Sequence, residues 1–322
     1  MKAGVLTWSV LGASLIGVSL WGSLQARTDP AARGDRPRAA TPASAAPRGR
    51  SPGEPAAPPA PSAPDGARTA PEPQAFPDLS QNDARLGLPG DGASYCGPVA
   101  VSDWLIWLAD HGYPRLAPPG ATRDDRQLAL VRALSGPRYL ATNATGGTGS
   151  LGLLRGLERW VADAGYRVQA LEYAGWRAHD ARHSTGQRAV DLVWLGRALR
   201  EGAAGFVHVG WYRPPTRWEL AHARRGGHWL AAVRADAAGD GPPGGASSAT
   251  GELWLVDPAP YAGSAPTTEH VRARRLEEGW LLADGDRVTA RGALLLGEGM
   301  RLKRAEDLAI VDGAVVLRLA PP

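Results

Sequence analysis

The sequence predicts an α+β domain, because helix-patterned segments come first, strand-patterned runs follow, and the two kinds do not alternate. The first helix is expected over Val99–Ala109, where VAVSDWLIWLA is apolar almost all round, as a helix enclosed in a core must be. A second begins near Ser150: Leu153, Leu154, Leu157, Trp160, Val161 and Ala164 recur at helical spacing, Arg155, Glu158, Arg159 and Asp163 lie opposite, and Gly165 is placed to stop it. A third runs from about Val190 to Arg200 and ends at Gly202. Strands are then expected at FVHVGWY from Phe206, HWLAAVR from His228 and ELWLVD from Glu252. Between the last two, 235–251 is rich in Gly, Pro, Ser and Ala and reads as a long mobile hairpin loop. WLLA, ALLL and VVLRL near the C-terminus are further short strands.

The chain has 322 residues, so the area available for a buried core is not limiting. Met1 and Lys2 precede a run from Ala3 to Leu24 without a charged residue, long enough to cross a bilayer as a helix. Residues 1–26 therefore read as a signal peptide or a membrane anchor. Small residues near Ala26 fit cleavage, Leu24 fits it poorly, and Arg27, Arg33, Arg36 and Arg38 leave the orientation open. The expectation is an exported, extracytoplasmic protein, secreted or membrane-anchored, that meets the membrane through this segment. Residues 27–75 are Pro, Ala, Arg, Gly and Ser with almost no large apolar side chain, and so read as a disordered linker. The folded domain is expected over 76–322.

A formal charge of +4, with basic and acidic residues interspersed, argues against a nucleic-acid partner. One cysteine excludes an internal disulfide, so Cys96 is either a small buried hydrophobe or a thiol kept for chemistry. It stands in YCGP directly before the enclosed helix. At a helix N-terminus the positive end of the dipole lowers a thiol pKa, and nearby backbone N–H groups can hold an oxyanion.

Among the seven histidines, His228 is best placed. It follows Gly226 and Gly227 and opens HWLAAVR, while Asp257 closes ELWLVD. If these strands pair as an antiparallel hairpin, the first residue of one lies opposite the last of the other. A carboxylate on one ring nitrogen would fix the tautomer that frees the other nitrogen to take a thiol proton. A satisfied polar pair at a strand end is the structural alternative. His208 and His222 read as structural or exposed. No His-x-x-His or Cys-x-x-Cys spacing, phosphate loop or Gly-x-Ser-x-Gly turn occurs, so no metal and no cofactor is expected.

The order Gln81, then YCGP at Tyr95–Pro98, GGHW at Gly226–Trp229 and VDPA at Val256–Ala259 resembles the bacteriocin-processing, double-glycine type peptidases and their papain-like relatives. The resemblance spans about Asp78 to Ala259 through short motifs. It implies a papain-like fold with a buried N-terminal helix packed on an antiparallel sheet. It also implies a catalytic triad of Cys96, His228 and Asp257, and an oxyanion role for Gln81. Gln81 lies further ahead of Cys96 than in that family, which makes Asn82 a second candidate donor. No transporter domain accompanies the motifs.

The expected activity is cysteine hydrolysis of a peptide or protein through a Cys96 thioester. Transfer of the acyl group to an amine, as in transglutaminase- or amidase-like enzymes, needs the same residues. A tethered module that binds peptides or cell-wall fragments without turnover is the non-enzymatic alternative. Trp104 and Trp107 are expected in the core, whereas Trp229, Trp211 or Trp218 could wall a groove.

Overall fold

Helix α1 (Cys96–Asp110) is buried from Cys96 to Ala109, as its apolar circumference requires. Trp104 makes edge-to-face contacts with Phe76 and Trp107, at ring separations of 4.9 and 5.4 Å. Its indole N–H donates to the Ala232 carbonyl at 3.2 Å, which ties the helix to the sheet beneath. Among the polar residues of this helix, Ser102 donates to the Val99 carbonyl and Gln127 donates to Asp103 Oδ1 at 2.5 Å, whereas Asp103 Oδ2 is buried without a hydrogen-bond partner. The computed structural model describes residues 76–215, 219–238, 250–259 and 267–322.

Gln127 belongs to α2 (Arg123–Ser135), a helix the sequence reading misses. It starts with a capping box in which Thr122 and Asp125 satisfy each other's backbone N–H groups, and it buries Leu128, Leu130, Val131 and Leu134. Helix α3 (Ser150–Asp163) buries the expected Leu153, Leu154, Leu157 and Val161, and Gly165 beyond it takes a positive φ of 75°. Helix α4 (Leu192–Arg200) is N-capped by Asp191.

The strands are β1 (Val168–Gly175), β2 (Ala204–Arg213), β3 (Ala221–Ala237), β4 (Thr250–Asp257), β5 (Thr267–Arg275), β6 (Trp280–Ala283), β7 (Asp286–Thr289), β8 (Leu294–Leu296) and β9 (Leu308–Leu319). Antiparallel pairing runs β2–β3–β4–β5–β8–β9 and returns from β9 to β2, so six strands form a closed ring. Closure leaves no exposed edge among those six. β1 extends the far half of β9, and the β6–β7 hairpin joins the start of β3 through a parallel pair. The molecule is thus α+β with a mainly antiparallel sheet. Helices α1 and α4 pack on β3.

Two expectations are corrected. Among the described residues no helix is long and apolar enough to cross a membrane, and the transmembrane expectation is withdrawn on that finding. Residues 1–26, on which it rested, and the linker expected over 27–75 lie outside the described residues. The loop expected over 235–251 is shorter at both ends, because β3 continues to Ala237 and β4 resumes at Thr250, with 239–249 outside the described residues.

Candidate active site

Cys96 is the first residue of α1, and no side chain caps that end. The N–H of Gly97 is therefore free to donate to the sulfur, as the N–H of Trp229 also does. Gly97 is required by space: a Cβ there would sit 2.9 Å from the Cβ and Oγ1 of Thr148. The helix N-terminus is thereby pressed against the 142–149 loop. Trp229 anchors the same loop by donating its indole N–H to the Thr148 carbonyl at 2.7 Å.

His228 and Asp257 come from neighbouring strands, but not from directly opposed positions. The β3–β4 ladder ends at Ala231 opposite Val256, and that register would set Asp257 across from Leu230. His228, two residues earlier on the same face, is the diagonal neighbour, within reach for long side chains. Its Nε2 and Asp257 Oδ1 are 2.6 Å apart, with both side chains almost fully buried. Asp257 Oδ1 also accepts the Ala259 N–H at 2.8 Å. With Nε2 engaged by the carboxylate, Nδ1 is the ring nitrogen left for the Cys96 thiol, which hydrogen-bonds the ring.

Burial pushes the Cys96 thiol up, but the His228 charge, the hydrogen bond to that ring and the Trp229 and Gly97 N–H groups outweigh it, and the thiol lies below its ordinary value. For His228, burial favours the neutral ring, yet the Asp257 carboxylate and then the Cys96 sulfur overcome burial and hold the imidazole above its usual range. The two shifts point the same way, to a thiolate–imidazolium pair.

Behind Asp257 lie two further carboxyl groups. Asp78 is raised to about 7 by burial and then by the Asp257 charge, opposed by Arg301. Glu269 is raised to about 7 by the same two causes, while the backbone N–H of Arg301 and its side chain, 2.9 Å away, pull it down.

Gln81 shares a groove of about 620 Å³ with Cys96 and His228. Its Nε2 donates to the Gly92 carbonyl at 2.9 Å, and its own N–H reaches the Pro258 carbonyl at 2.7 Å. Gly92 has a φ of +75°, and a Cβ there would overlap the Gln81 carbonyl, so the turn after Gln81 depends on that glycine. Asn82, on the same rim, donates to the Asp91 carbonyl at 2.6 Å. Trp211 and Trp229 line the groove while remaining buried; Trp218 lies outside the described residues.

The sequence reading misses Thr148, Arg177 and Arg224, which border the groove, and Asp312, which is fully buried beneath it. Asp312 accepts from Tyr212 at 2.5 Å, Arg224 at 2.7 Å and Trp176 at 3.1 Å. For Arg224 the cue was the polar run ELAHARR, of which Ala221–Arg225 form the first part of β3. His208 and His222 are both buried, at 6% and 7% exposure. No protein-family model, curated protein or solved structure matches the chain.

Proposed function

We propose that the chain is a cysteine hydrolase of papain-like architecture that cleaves peptide bonds through a thioester on Cys96. The observation that carries the reading is the buried His228–Asp257 pair at 2.6 Å, with the same imidazole hydrogen-bonded to a thiol at a helix N-terminus. The Cys96 thiolate adds to the carbonyl carbon, and the oxygen takes the negative charge. When the tetrahedral adduct collapses, the C–N bond breaks and His228 delivers its Nδ1 proton to the leaving amine. A water then loses a proton to His228 and adds to the thioester; the C–S bond breaks, releasing the acid and restoring the thiolate. Asp257 keeps the ring oriented and stabilises its charge. Gln81 is the side chain best placed on the groove to donate to the oxyanion through its second amide hydrogen.

One observation favours a binding module on the same scaffold: Gln81 already directs one N–H to the Gly92 carbonyl. Iodoacetamide labelling of Cys96 across pH separates the two readings. The hydrolase reading expects alkylation to remain fast well below pH about 8.5, the ordinary thiol value, and to slow in His228→Ala. It also expects cleavage of a fluorogenic peptide pool that Cys96→Ala abolishes. A thiol that titrates at the ordinary value or does not react would falsify the enzymatic reading.

A further inference from the structure

The groove in front of Cys96 is bordered by Arg177, Arg224, Arg225 and Lys303, and no aspartate or glutamate shares its lining. Each arginine is braced by a carboxylate outside that lining: Arg177 by Asp284 at 2.5 Å, Arg224 by Asp312 at 2.7 Å, and Arg225 by Asp307 at 3.0 Å. A guanidinium held through one edge keeps further N–H donors for a ligand. Lys303 is exposed, with no ion pair among the described residues. Into the same groove opens the N-terminus of α3, a 14-residue helix with Gly149 at its cap, no side-chain cap and no acidic residue in its first turn. Its first N–H groups and its dipole favour an anion.

His208 supports one of these arginines from within the same groove. The Arg224 guanidinium lies 3.3 Å from its Nε2, so that nitrogen accepts and the proton sits on Nδ1. The ring is stacked on Trp229 at 4.3 Å and is 6% exposed, and its Nδ1 is buried without a hydrogen-bond partner. That nitrogen is closed to the groove, so the part His208 plays at the rim is to accept from Arg224 and hold its guanidinium in place.

We infer that the groove selects an acidic peptide, taking a carboxylate near the bond presented to Cys96 between the α3 N-terminus and the Arg224–Lys303 rim. This rests on the hydrolase reading only for what happens to the peptide after it binds. The positive wall would also speed encounter with acidic chains and lose that advantage in salt.

The test uses three peptides identical except for Glu, Gln or Lys residues flanking a central bond. Binding to Cys96→Ala is followed by tryptophan fluorescence, since Trp211 and Trp229 line the groove. Cleavage by the wild-type chain is followed separately. The Glu peptide is expected to bind about tenfold more tightly than the Gln peptide at low ionic strength, the Lys peptide most weakly, and the preference to shrink in salt. Lys303→Glu, at an exposed position, should raise the Kd and KM of the Glu peptide about three- to tenfold and reduce the preference. Equal binding of the three peptides, or preference for Lys, overturns the proposal even if all are cleaved. A preference that Lys303→Glu and salt leave unchanged overturns it as well. Tight binding of the Glu peptide without cleavage supports this selection while removing the hydrolase reading, so the two failures are distinct.

Discussion

At the scale of the residue, the proposed chemistry depends on how Cys96 and His228 divide one proton inside a buried site. Asp257 supplies the charge that favours the protonated ring, and the ring in turn favours the thiolate. Asp257→Asn retains a similar side-chain shape but removes the charge, so His228 should become easier to deprotonate and the Cys96 thiol harder. We expect the alkylation midpoint of Cys96 to move upward and peptide cleavage to fall by about 10²–10⁴-fold, with the far-ultraviolet circular dichroism unchanged. An unchanged midpoint in a folded variant would remove Asp257 from the mechanism. These three residues were legible in the sequence because each lies next to glycine or proline, Cys96 and Asp257 at element ends and His228 at the start of the apolar part of β3. Thr148 and His208 were not, since their importance comes from which chain segment packs on them.

At the scale of the element, α1 does two things: its first turn presents the thiol, and its middle anchors the helical layer to β3. Trp104 is fully buried, packs on Phe76 and Trp107 and donates to β3, whereas Thr122 satisfies only the exposed start of α2. Trp104→Ala should therefore cost about 3–5 kcal/mol in urea unfolding, and Thr122→Ala about 1 kcal/mol. The reverse order would mean that α1 does not brace the sheet. The apolar circumference of α1 and the helical spacing of α3 were readable directly. Helix α2 was not, because its Arg- and Asp-rich first turn obscured the pattern of Leu128, Val131 and Leu134. Strand β3 was underestimated for a related reason: 221–227 is polar and glycine-rich, and it extends because β2 and, at its start, β6 pair along it.

At the scale of the whole molecule, the fold buries Asp257 and Glu269 and half-buries Asp78 beside them. For both neighbours the folded pKa, about 7, lies above the ordinary values of 3.8 and 4.5. Protonated carboxyls are thus favoured on folding, and their contribution is complete below the unfolded values and is lost as pH rises through about 7. Relative to Asp78→Asn and Glu269→Gln, the wild-type chain should lose stability between about pH 4 and pH 7 in denaturant titrations. Parallel profiles for wild type and variants would contradict this coupling. The sequence alone determined the α+β class, the enclosed first helix and which thiol, imidazole and carboxylate could act together, because these follow from local periodicity and boundary residues. Only the tertiary structure decided the ring closure, the diagonal rather than opposed meeting of His228 and Asp257, and the cationic groove. Those features depend on strand register and on contacts between residues far apart in the chain, for which local sequence carries no periodic signal.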